Sequence, residues 1–344
     1  MKKILIIQQK MIGDVLTSTF LFEAIKKKYP HLQVDYLINA HTYPVVKNNP
    51  YIDNIVQLSP EDEKNIFRLL HFAKKNIHGK YDTIIDVYSK IQSNLFTLLS
   101  GAKTKVAHYK WYTTRIYNHR VAFISHDKDG TIKDRLRLLE AIFPEPFSAN
   151  PPRIYLSAEE EQKGREFLTH NGIHPSKKLY MIGVLGSSPG KTYPLPYMAQ
   201  LIDYVARHTE GEFLFNYIPR QRKEVQQIFQ TCSPKTRERI HIDTYAPGLR
   251  DFLCVLKHCN AFIGNEGGAV HMAKALNIPT FSIFAPHISK AAWELFPNEK
   301  DRAVHPADYK PELFTKKIKK EELYQRFTFD LFEEDLLHFL QSTK

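Results

Sequence analysis

The chain has 344 residues, of which 43% are hydrophobic and 25% are charged. This composition excludes a wholly disordered chain and a fibrous repeat, and the length suffices for two domains with separate cores. The formal net charge of +11 favours an acidic partner, such as nucleic acid, an anionic membrane surface or a phosphorylated substrate. The sequence has neither an apolar run of the roughly 20 residues that cross a bilayer nor a recognisable signal peptide, so we expect a globular, cytoplasmic protein.

Short apolar runs alternate with helical patterns through the first half of the chain. Strands are predicted at residues 4–7, 34–38, 55–58 and 83–87. One helix is predicted over residues 16–29, and the spacing of Ile66, Ala73 and Ile77 marks one face of another. Alternation of this kind predicts a parallel sheet with helices on both faces.

A proline-rich stretch at residues 143–152 separates this pattern from a second one of the same kind. Strands are predicted there at residues 180–185, 212–215, 240–242, 261–263 and 280–284, the last being the final strand. We therefore predict an α/β fold of two doubly wound domains facing a central cleft, with ligands at the carboxyl ends of both sheets. The predicted divisions are a first domain at residues 1–150, a linker at 151–178, a second domain at 179–325 and a C-terminal helix at 326–344 that packs back on the first domain.

The most informative motif is Gly-Asn-Glu-Gly-Gly-Ala-Val-His at residues 264–271, between an apolar run and a helical pattern. A strand that ends in a glycine turn and opens a helix presents free N–H groups at the positive end of the helix dipole, which suits a phosphate. Alternatively, Gly267 and Gly268 only relieve crowding in a tight connection. His271 either contacts the ligand or is an ordinary core histidine.

A second candidate phosphate loop reads Gly-Ser-Ser-Pro-Gly-Lys at residues 186–191. The hydroxyls of Ser187 and Ser188 can donate hydrogen bonds to a phosphate, and Lys191 adds positive charge. The spacing departs from the Walker pattern, so an ordinary Gly-Pro turn with an exposed lysine is the alternative.

Gly13 and Asp14 follow the first predicted strand. The Asp14 carboxylate is a candidate general base for an acceptor hydroxyl, and capping of a helix that begins at residue 15 is the alternative. The glycine fingerprint of a dinucleotide site is missing here. Asp127 and Asp129 resemble a metal-binding pair, but Gly130 follows directly and favours a surface turn, so we predict no metal site there.

Residues 87–126 contain no aspartate or glutamate, whereas lysines and arginines alternate there with aromatic residues. Such a surface suits either RNA or the headgroups of anionic lipids.

Four segments occur in the order seen in the bacterial heptosyltransferases of glycosyltransferase family nine. They are residues 9–16 with Ile-Gly-Asp, residues 81–86, residues 101–103 and residues 264–279. The chain resembles this family over most of its length. The resemblance implies a GT-B fold of two Rossmann-like domains and an inverting glycosyltransferase, which usually moves heptose from ADP-heptose to a lipopolysaccharide core acceptor.

The resemblance also implies roles for individual residues, with Asp14 as the catalytic base. The candidate donor-binding residues are Ser187, Ser188, Lys191, Glu224, Glu266, Gly267, Gly268, Ala269 and His271, of which the resemblance implies roles for Lys191, Glu224, Gly267, Gly268 and Ala269. The candidate acceptor-binding residues, most of them chosen because positive charge suits an acidic acceptor, are Gly13, Lys64, Arg68, Lys103, Lys105 and Lys110. Glu266 stands where the family usually has aspartate, and Gly267 where it often has serine or threonine, so the identity of the donor stays open.

The expected partners are a nucleotide sugar, with an ADP-sugar favoured, and an acidic glycolipid acceptor. We expect a monomer in peripheral contact with the inner membrane, with no cofactor, no metal and no nucleic acid. Two alternatives stay open at this point. One is a non-catalytic relative that binds RNA or membranes, and the other is a nucleotide-sugar epimerase that needs no acceptor.

Overall fold

The computed structural model describes residues 2–123, 130–174, 176–315 and 318–343, so Asp127 and Asp129 lie outside the described residues. The chain divides into two compact units, unit 1 (Met1–Tyr155) and unit 2 (Leu156–Lys344). None of the described helices is long and apolar enough to cross a membrane.

Unit 1 is built on a parallel sheet whose described strands follow the order β3-β2-β1-β4-β5-β6. The strands are β1 (Lys3–Ile7), β2 (Gln33–Asn39), β3 (Asn54–Leu58), β4 (Thr83–Asp86), β5 (Thr104–His108) and β6 (His119–Val121). The helices are α1 (Ile12–Thr17), α2 (Phe20–Lys28), α3 (Ile66–Asn76), α4 (Ile91–Leu99) and α5 (Gly130–Glu140). The strand order reverses direction beside β1, and at such a point the loops beyond the carboxyl ends part to leave a crevice.

The central strands of unit 1 are rich in isoleucine, leucine and valine because helices cover both faces of the sheet. Four of the five residues of β1 are buried, and all four of β4, whereas the edge strand β3 is partly exposed. Helices α3 and α4 pack side by side through Phe72 and Phe96, whose ring centroids are 5.4 Å apart. Helix α4 begins shortly after β4 ends, and α3 follows a longer loop whose Glu63 bonds to Asn39 at the end of β2, so the first turns of both helices lie towards the carboxyl edge of the sheet.

Unit 2 carries a second parallel sheet, whose described strands follow the order β11-β10-β9-β7-β8. The strands are β7 (Leu179–Gly183), β8 (Glu212–Phe215), β9 (Ala261–Asn265), β10 (Thr280–Ile283) and β11 (Asp301–Val304). The longer helices are α6 (Ala158–His170), α7 (Leu195–His208), α8 (Arg222–Thr231), α10 (Leu249–Leu256), α11 (Gly268–Ala275), α14 (Lys320–Gln325) and α15 (Glu333–Ser342). The short helices are α9 (Pro234–Arg237), α12 (Lys290–Trp293) and α13 (Pro306–Tyr309).

Two strand predictions for unit 2 were wrong. Residues 240–242 form only an isolated bridge, between Phe213 and Ile240, instead of a strand. The sheet also continues beyond β10 to β11, which pairs in parallel with it from Thr280 to Ile283. Charged residues at Asp301 and Arg302 interrupt the apolar pattern of this edge strand, which is why the sequence did not reveal it.

The predicted linker at residues 151–178 contains the helix α6. Ser157 and Glu160 form a capping box at its start, and the Glu160 carboxylate also pairs with Arg250 of α10 at 2.6 Å. A Cβ added to Gly164 would lie 2.3 Å from the carbonyl oxygen of Cys254, so only glycine permits this close packing of the two helices. The helix is therefore an integral part of unit 2.

The C-terminal helix α15 buries its apolar face in the core of unit 2. Leu336, Phe339 and Leu340 belong to the main core of unit 2. The rings of Phe339 and Phe281 of β10 lie 5.6 Å apart between centroids. An amphipathic pattern predicts that one face of a helix is covered, but it does not identify the surface that covers it.

Candidate active site

Asp14 lies in the first turn of α1, immediately beyond β1. The helix begins at Ile12 with Met11 as its N-cap, so Asp14 does not cap a helix beginning at residue 15. Its carboxylate Oδ1 instead accepts a hydrogen bond of 2.7 Å from Nη2 of Arg135 in α5. The side chain of Asp14 is 25% exposed and that of Arg135 is 8% exposed. Asp14 is therefore held in one orientation while remaining open to a ligand.

Arg135 was missed by sequence reasoning, because 121 residues separate it from Asp14. Its Nη1 atom is buried and has no hydrogen-bond partner within the described chain. Beneath the pair, the hydroxyl of the buried Tyr36 donates to the carbonyl oxygen of Val15 at 2.8 Å. Arg135 thus fixes the orientation of the Asp14 carboxylate through Nη2.

Polar contacts join several loops at this edge of the unit 1 sheet. Glu63 accepts hydrogen bonds from Nζ of Lys10 at 3.0 Å and from Nδ2 of Asn39 at 2.8 Å. Gln9 Nε2 donates to Oε1 of Gln92 in α4 at 2.7 Å. The loops after β1, β2 and β3 and the start of α4 therefore form one connected rim.

The structure separates the predicted acceptor-binding lysines. Lys64 and Arg68 lie at the rim near Glu63, and both pair with Glu61, at 2.6 and 2.9 Å. Lys110 follows β5 at the same carboxyl edge, where its Nζ donates to the carbonyl oxygen of Ser89.

Lys103 and Lys105 lie towards the other end of the sheet and away from Asp14. Lys103 precedes β5, and Lys105 is paired in register with Ile84 of β4, two residues before that strand ends. These two lysines were predicted to bind the acceptor from their positive charge, and the direction of the strand was not considered. The structure does not bring them into the candidate site.

In unit 2, the carboxyl ends of β7 and β9 are in close contact. The buried side chain of Asn265 donates from Nδ2 to the carbonyl oxygen of Gly183 at 2.8 Å. Its Oδ1 accepts from the backbone N–H of Tyr193 at 2.7 Å. Gly264 has φ +143°, and a Cβ there would lie 2.4 Å from the oxygen of Gly183, so glycine is required.

The loop after β7 folds back on itself. A Cβ on Gly186 would lie 2.3 Å from the carbonyl oxygen of Lys191. Thr192 Oγ1 accepts from the N–H of Gly186 at 3.1 Å and donates to the oxygen of Ser188 at 2.9 Å. The turn leaves Ser187 and Ser188 exposed and Lys191 half-buried at the carboxyl edge.

Helix α11 begins directly beyond β9. Gly267 is its N-cap and supplies no side-chain cap. The N–H groups of Gly268 and Ala269 in the first turn therefore have no acceptor within the helix and lie at its positive end. The ring of His271 is half-buried and lies 6.2 Å from the ring of Trp293, centroid to centroid.

The loop after β8 meets the same edge. Gln221 Nε2 donates to the carbonyl oxygen of Gly186 at 3.1 Å, and Glu224 is exposed in the first turn of α8. Tyr217 lies 5.7 Å from the ring of Tyr245. This aromatic pair was not anticipated, because 28 residues separate the two tyrosines.

All the predicted donor-binding residues thus follow β7, β8 or β9 at one edge of the unit 2 sheet. Backbone amides, two hydroxyls and one lysine suit a diphosphate, whose charge they can stabilise. Among the described residues, no group of three histidine, cysteine, aspartate or glutamate side chains is arranged to hold a metal ion.

Residues 70–318 match the model of the family described as glycosyltransferase family 9 (heptosyltransferase), which is well over half of the chain. The chain belongs to glycosyltransferase family 9. It is therefore a glycosyltransferase, as the resemblance implied, and membership in the heptosyltransferase family is confirmed.

Curated relatives and solved structures of this family are similar over most of their length. A Campylobacter coli protein named lipopolysaccharide heptosyltransferase 1 is 25% identical over 296 residues, which cover 82% of this chain and 83% of the relative. The family 9 structure from Veillonella parvula has a TM-score of 0.80 at 18% identity and covers 99% of this chain and 97% of its own. The structure of E. coli ADP-heptose lps heptosyltransferase II has a TM-score of 0.74 at 16% identity and covers 99% of both chains. The predicted GT-B fold is confirmed.

His108, the last residue of β5, gives this family 9 enzyme a testable sensitivity to acid. Its ring stacks on Phe123 at 4.1 Å, and burial lowers the pKa of His108 from 6.5 to about 4. The unfolded chain binds a proton at His108 more tightly than the folded chain does. The free energy of unfolding is therefore highest above pH 6.5 and decreases as the pH falls towards 4.

We expect the free energy of unfolding of the wild type to fall by about 3 kcal/mol more than that of His108→Phe over this pH range. Urea unfolding at several pH values measures the difference. Parallel pH dependences of the two proteins would contradict the assignment to His108.

Proposed function

We propose that this glycosyltransferase transfers heptose from ADP-heptose to the lipopolysaccharide core or a related envelope glycan, with inversion at the anomeric carbon. The observation that carries the proposal is the carboxylate of Asp14, which Arg135 holds at 2.7 Å beyond the carboxyl end of β1. A fixed, partly exposed carboxylate is the group that an inverting transfer needs as its base.

In the proposed reaction, Asp14 accepts the proton of an acceptor hydroxyl while the oxygen attacks the anomeric carbon of the donor. The bond between this carbon and the diphosphate oxygen breaks, and ADP leaves. The developing negative charge on the diphosphate is stabilised by the N–H groups of Gly268 and Ala269 and by Lys191. Arg135 orients the base, and no metal is assigned a role.

The choice of donor is supported by the name of the E. coli neighbour, which is an ADP-heptose enzyme. The replacement of the family's usual residues by Glu266 and Gly267 leaves the backbone amides of the next two residues in place. We therefore propose that the diphosphate contacts are retained. We assign the lipid-linked acceptor to the cytoplasmic face of the inner membrane, where the enzyme acts as a peripheral protein.

A thermal-shift series with ADP-, GDP-, UDP- and CMP-sugars tests the donor. An ADP-sugar at one hundred times its Kd is expected to stabilise by about 2.7 kcal/mol, which raises the Tm by roughly 5–10 °C. Transfer of heptose from ADP-heptose to a soluble core-sugar acceptor is then measured directly.

Lys191→Met is the matched variant for this series. Without ligand, its Tm is expected to equal that of the wild type, because Lys191 makes no ion pair with the rest of the described chain. With ADP-sugar, its thermal shift is expected to be smaller than that of the wild type. A larger shift with a GDP- or UDP-sugar would contradict ADP as the donor nucleotide, and product formation without any acceptor would contradict transfer.

A further inference from the structure

We propose that the carboxyl edge of the unit 1 sheet docks on an anionic lipid bilayer. The docking face consists of exposed apolar and aromatic residues in three segments, the start of α3, the start of α4 and the turn after β5. They are Ile66, Phe67, Leu70, Ile91, Trp111 and Tyr112. This inference rests on the proposed function, because a lipid-linked acceptor lies in a membrane.

The exposure of these side chains is the first argument. Phe67 is 79% exposed, Ile91 is 86% exposed and Trp111 is 78% exposed. A water-soluble surface tolerates single apolar residues, but a contiguous apolar patch indicates a surface that becomes covered.

Contacts within unit 1 bring the three segments together. Helices α3 and α4 run side by side from the carboxyl edge, and Phe72 and Phe96 touch at equivalent depths, so the first turns of the two helices are neighbours. Lys110, next to Trp111, bonds to the carbonyl oxygen of Ser89 just before α4. The exposed residues therefore form one face.

The charge around this face is positive. Lys90 and Arg115 are exposed, and residues 87–123 contain no carboxylate side chain to oppose them. In the α3 segment, Glu61 pairs with Lys64 and Arg68, Glu63 pairs with Lys10, and Asp62 accepts hydrogen bonds from Ser59, so the uncompensated positive charge lies around Lys90 and Arg115. Such a surface attracts anionic headgroups at about 1 kcal/mol for each cation near the membrane.

The aliphatic members of the face distinguish a bilayer from RNA. Ile66, Leu70 and Ile91 can enter the acyl boundary but offer no ring on which a base can stack. Trp111 and Tyr112 are the residue types that settle at the level of the headgroups. The combination of aliphatic, aromatic and basic side chains fits a lipid surface better than a nucleic acid.

Docking in this orientation would bring the membrane to the edge of the sheet that carries the candidate base. Met11 is 65% exposed and lies only three residues before Asp14. A sugar attached to a lipid in the bound membrane would then reach Asp14 without leaving the bilayer surface.

Cosedimentation of the full chain with vesicles tests the proposal. The wild type is expected to bind vesicles of phosphatidylcholine with added phosphatidylglycerol and to bind weakly to phosphatidylcholine alone. The triple variant Phe67→Ser, Ile91→Ser, Trp111→Ser should lose roughly a hundredfold in affinity. Lys90→Gln and Arg115→Gln should each lose roughly fivefold at low salt.

Leu98→Ser is the matched control, because Leu98 is 53% exposed on α4 but lies at the opposite end of this helix from Ile91. It is expected to bind vesicles like the wild type. Three results would each overturn the docking face. They are an equal loss of affinity in Leu98→Ser and the triple variant, equal binding of the wild type to both vesicle types, and preferential binding of the wild type to an RNA oligonucleotide.

The vesicle-binding test can be interpreted separately from the tests of the proposed function. The triple variant is expected to keep both its thermal shift with ADP-sugar and its transfer to a soluble acceptor. Failure of vesicle binding with normal transfer refutes only the docking face. Vesicle binding without any sugar transfer refutes the proposed function instead.

Discussion

Replacing Asp14 by asparagine is expected to lower the rate of sugar transfer by about 10³, because the amide cannot accept the proton of the acceptor hydroxyl. The thermal shift with ADP-sugar should persist, because the proposed donor-binding residues all lie in unit 2. A radiolabelled or mass-spectrometric transfer assay with a soluble acceptor measures the rate. A variant that keeps a tenth or more of the wild-type rate would contradict the assigned base.

The same substitution removes the partner of a buried cation, so a control for stability is needed. Leaving Arg135 without its carboxylate costs about 3–5 kcal/mol. The double variant Asp14→Asn, Arg135→Gln is expected to recover much of this loss while remaining inactive. Recovery of activity together with stability would show that Asp14 acts through the fold of unit 1, not as a base.

Gly264→Ala is expected to have the largest effect on the stability of unit 2. The φ of +143° is unfavourable for alanine, and the new Cβ would lie 2.4 Å from the oxygen of Gly183. Strain and overpacking together should cost about 4 kcal/mol in the free energy of unfolding. Urea unfolding measures this cost, and the thermal shift with ADP-sugar should disappear because β7 and β9 separate at their carboxyl ends.

Gly190→Ala provides the control for that experiment. A Cβ at Gly190 would meet only the His287 ring at 3.9 Å, which is an ordinary contact. Its free energy of unfolding should stay within about 0.5 kcal/mol of the wild type. A similar loss in both variants would show that the close approach of β7 and β9 is not the cause.

Sequence reasoning predicted the α/β architecture and the family because both depend on local patterns. The apolar run of residues 4–7 and the glycine motif after β9 can be recognised within a few residues of chain. The strands β5, β6 and β11 were not predicted because they are short or contain charged residues. The helix α6 was not predicted because only the proline-rich stretch before it was considered.

The remaining features depend on contacts between distant parts of the chain. No local pattern indicates that Arg135 bonds to Asp14 or that Arg250 pairs with Glu160. The positions of Lys103 and Lys105 depend on strand direction, which a count of charges ignores. The roles of the predicted site residues stay predictions until the variants above are measured.

The buried side chain of Asn265, the last residue of β9, bonds to two other segments. It contacts Gly183 at the end of β7 and Tyr193 at the end of the loop that follows β7. The loop after β7 and the turn that opens α11 are therefore held in place before any ligand arrives. A diphosphate that binds there would lose less of its binding free energy to ordering the protein. The proposed donor site would then be rigid, and its affinity would depend on the fit of the sugar and base more than on loop closure.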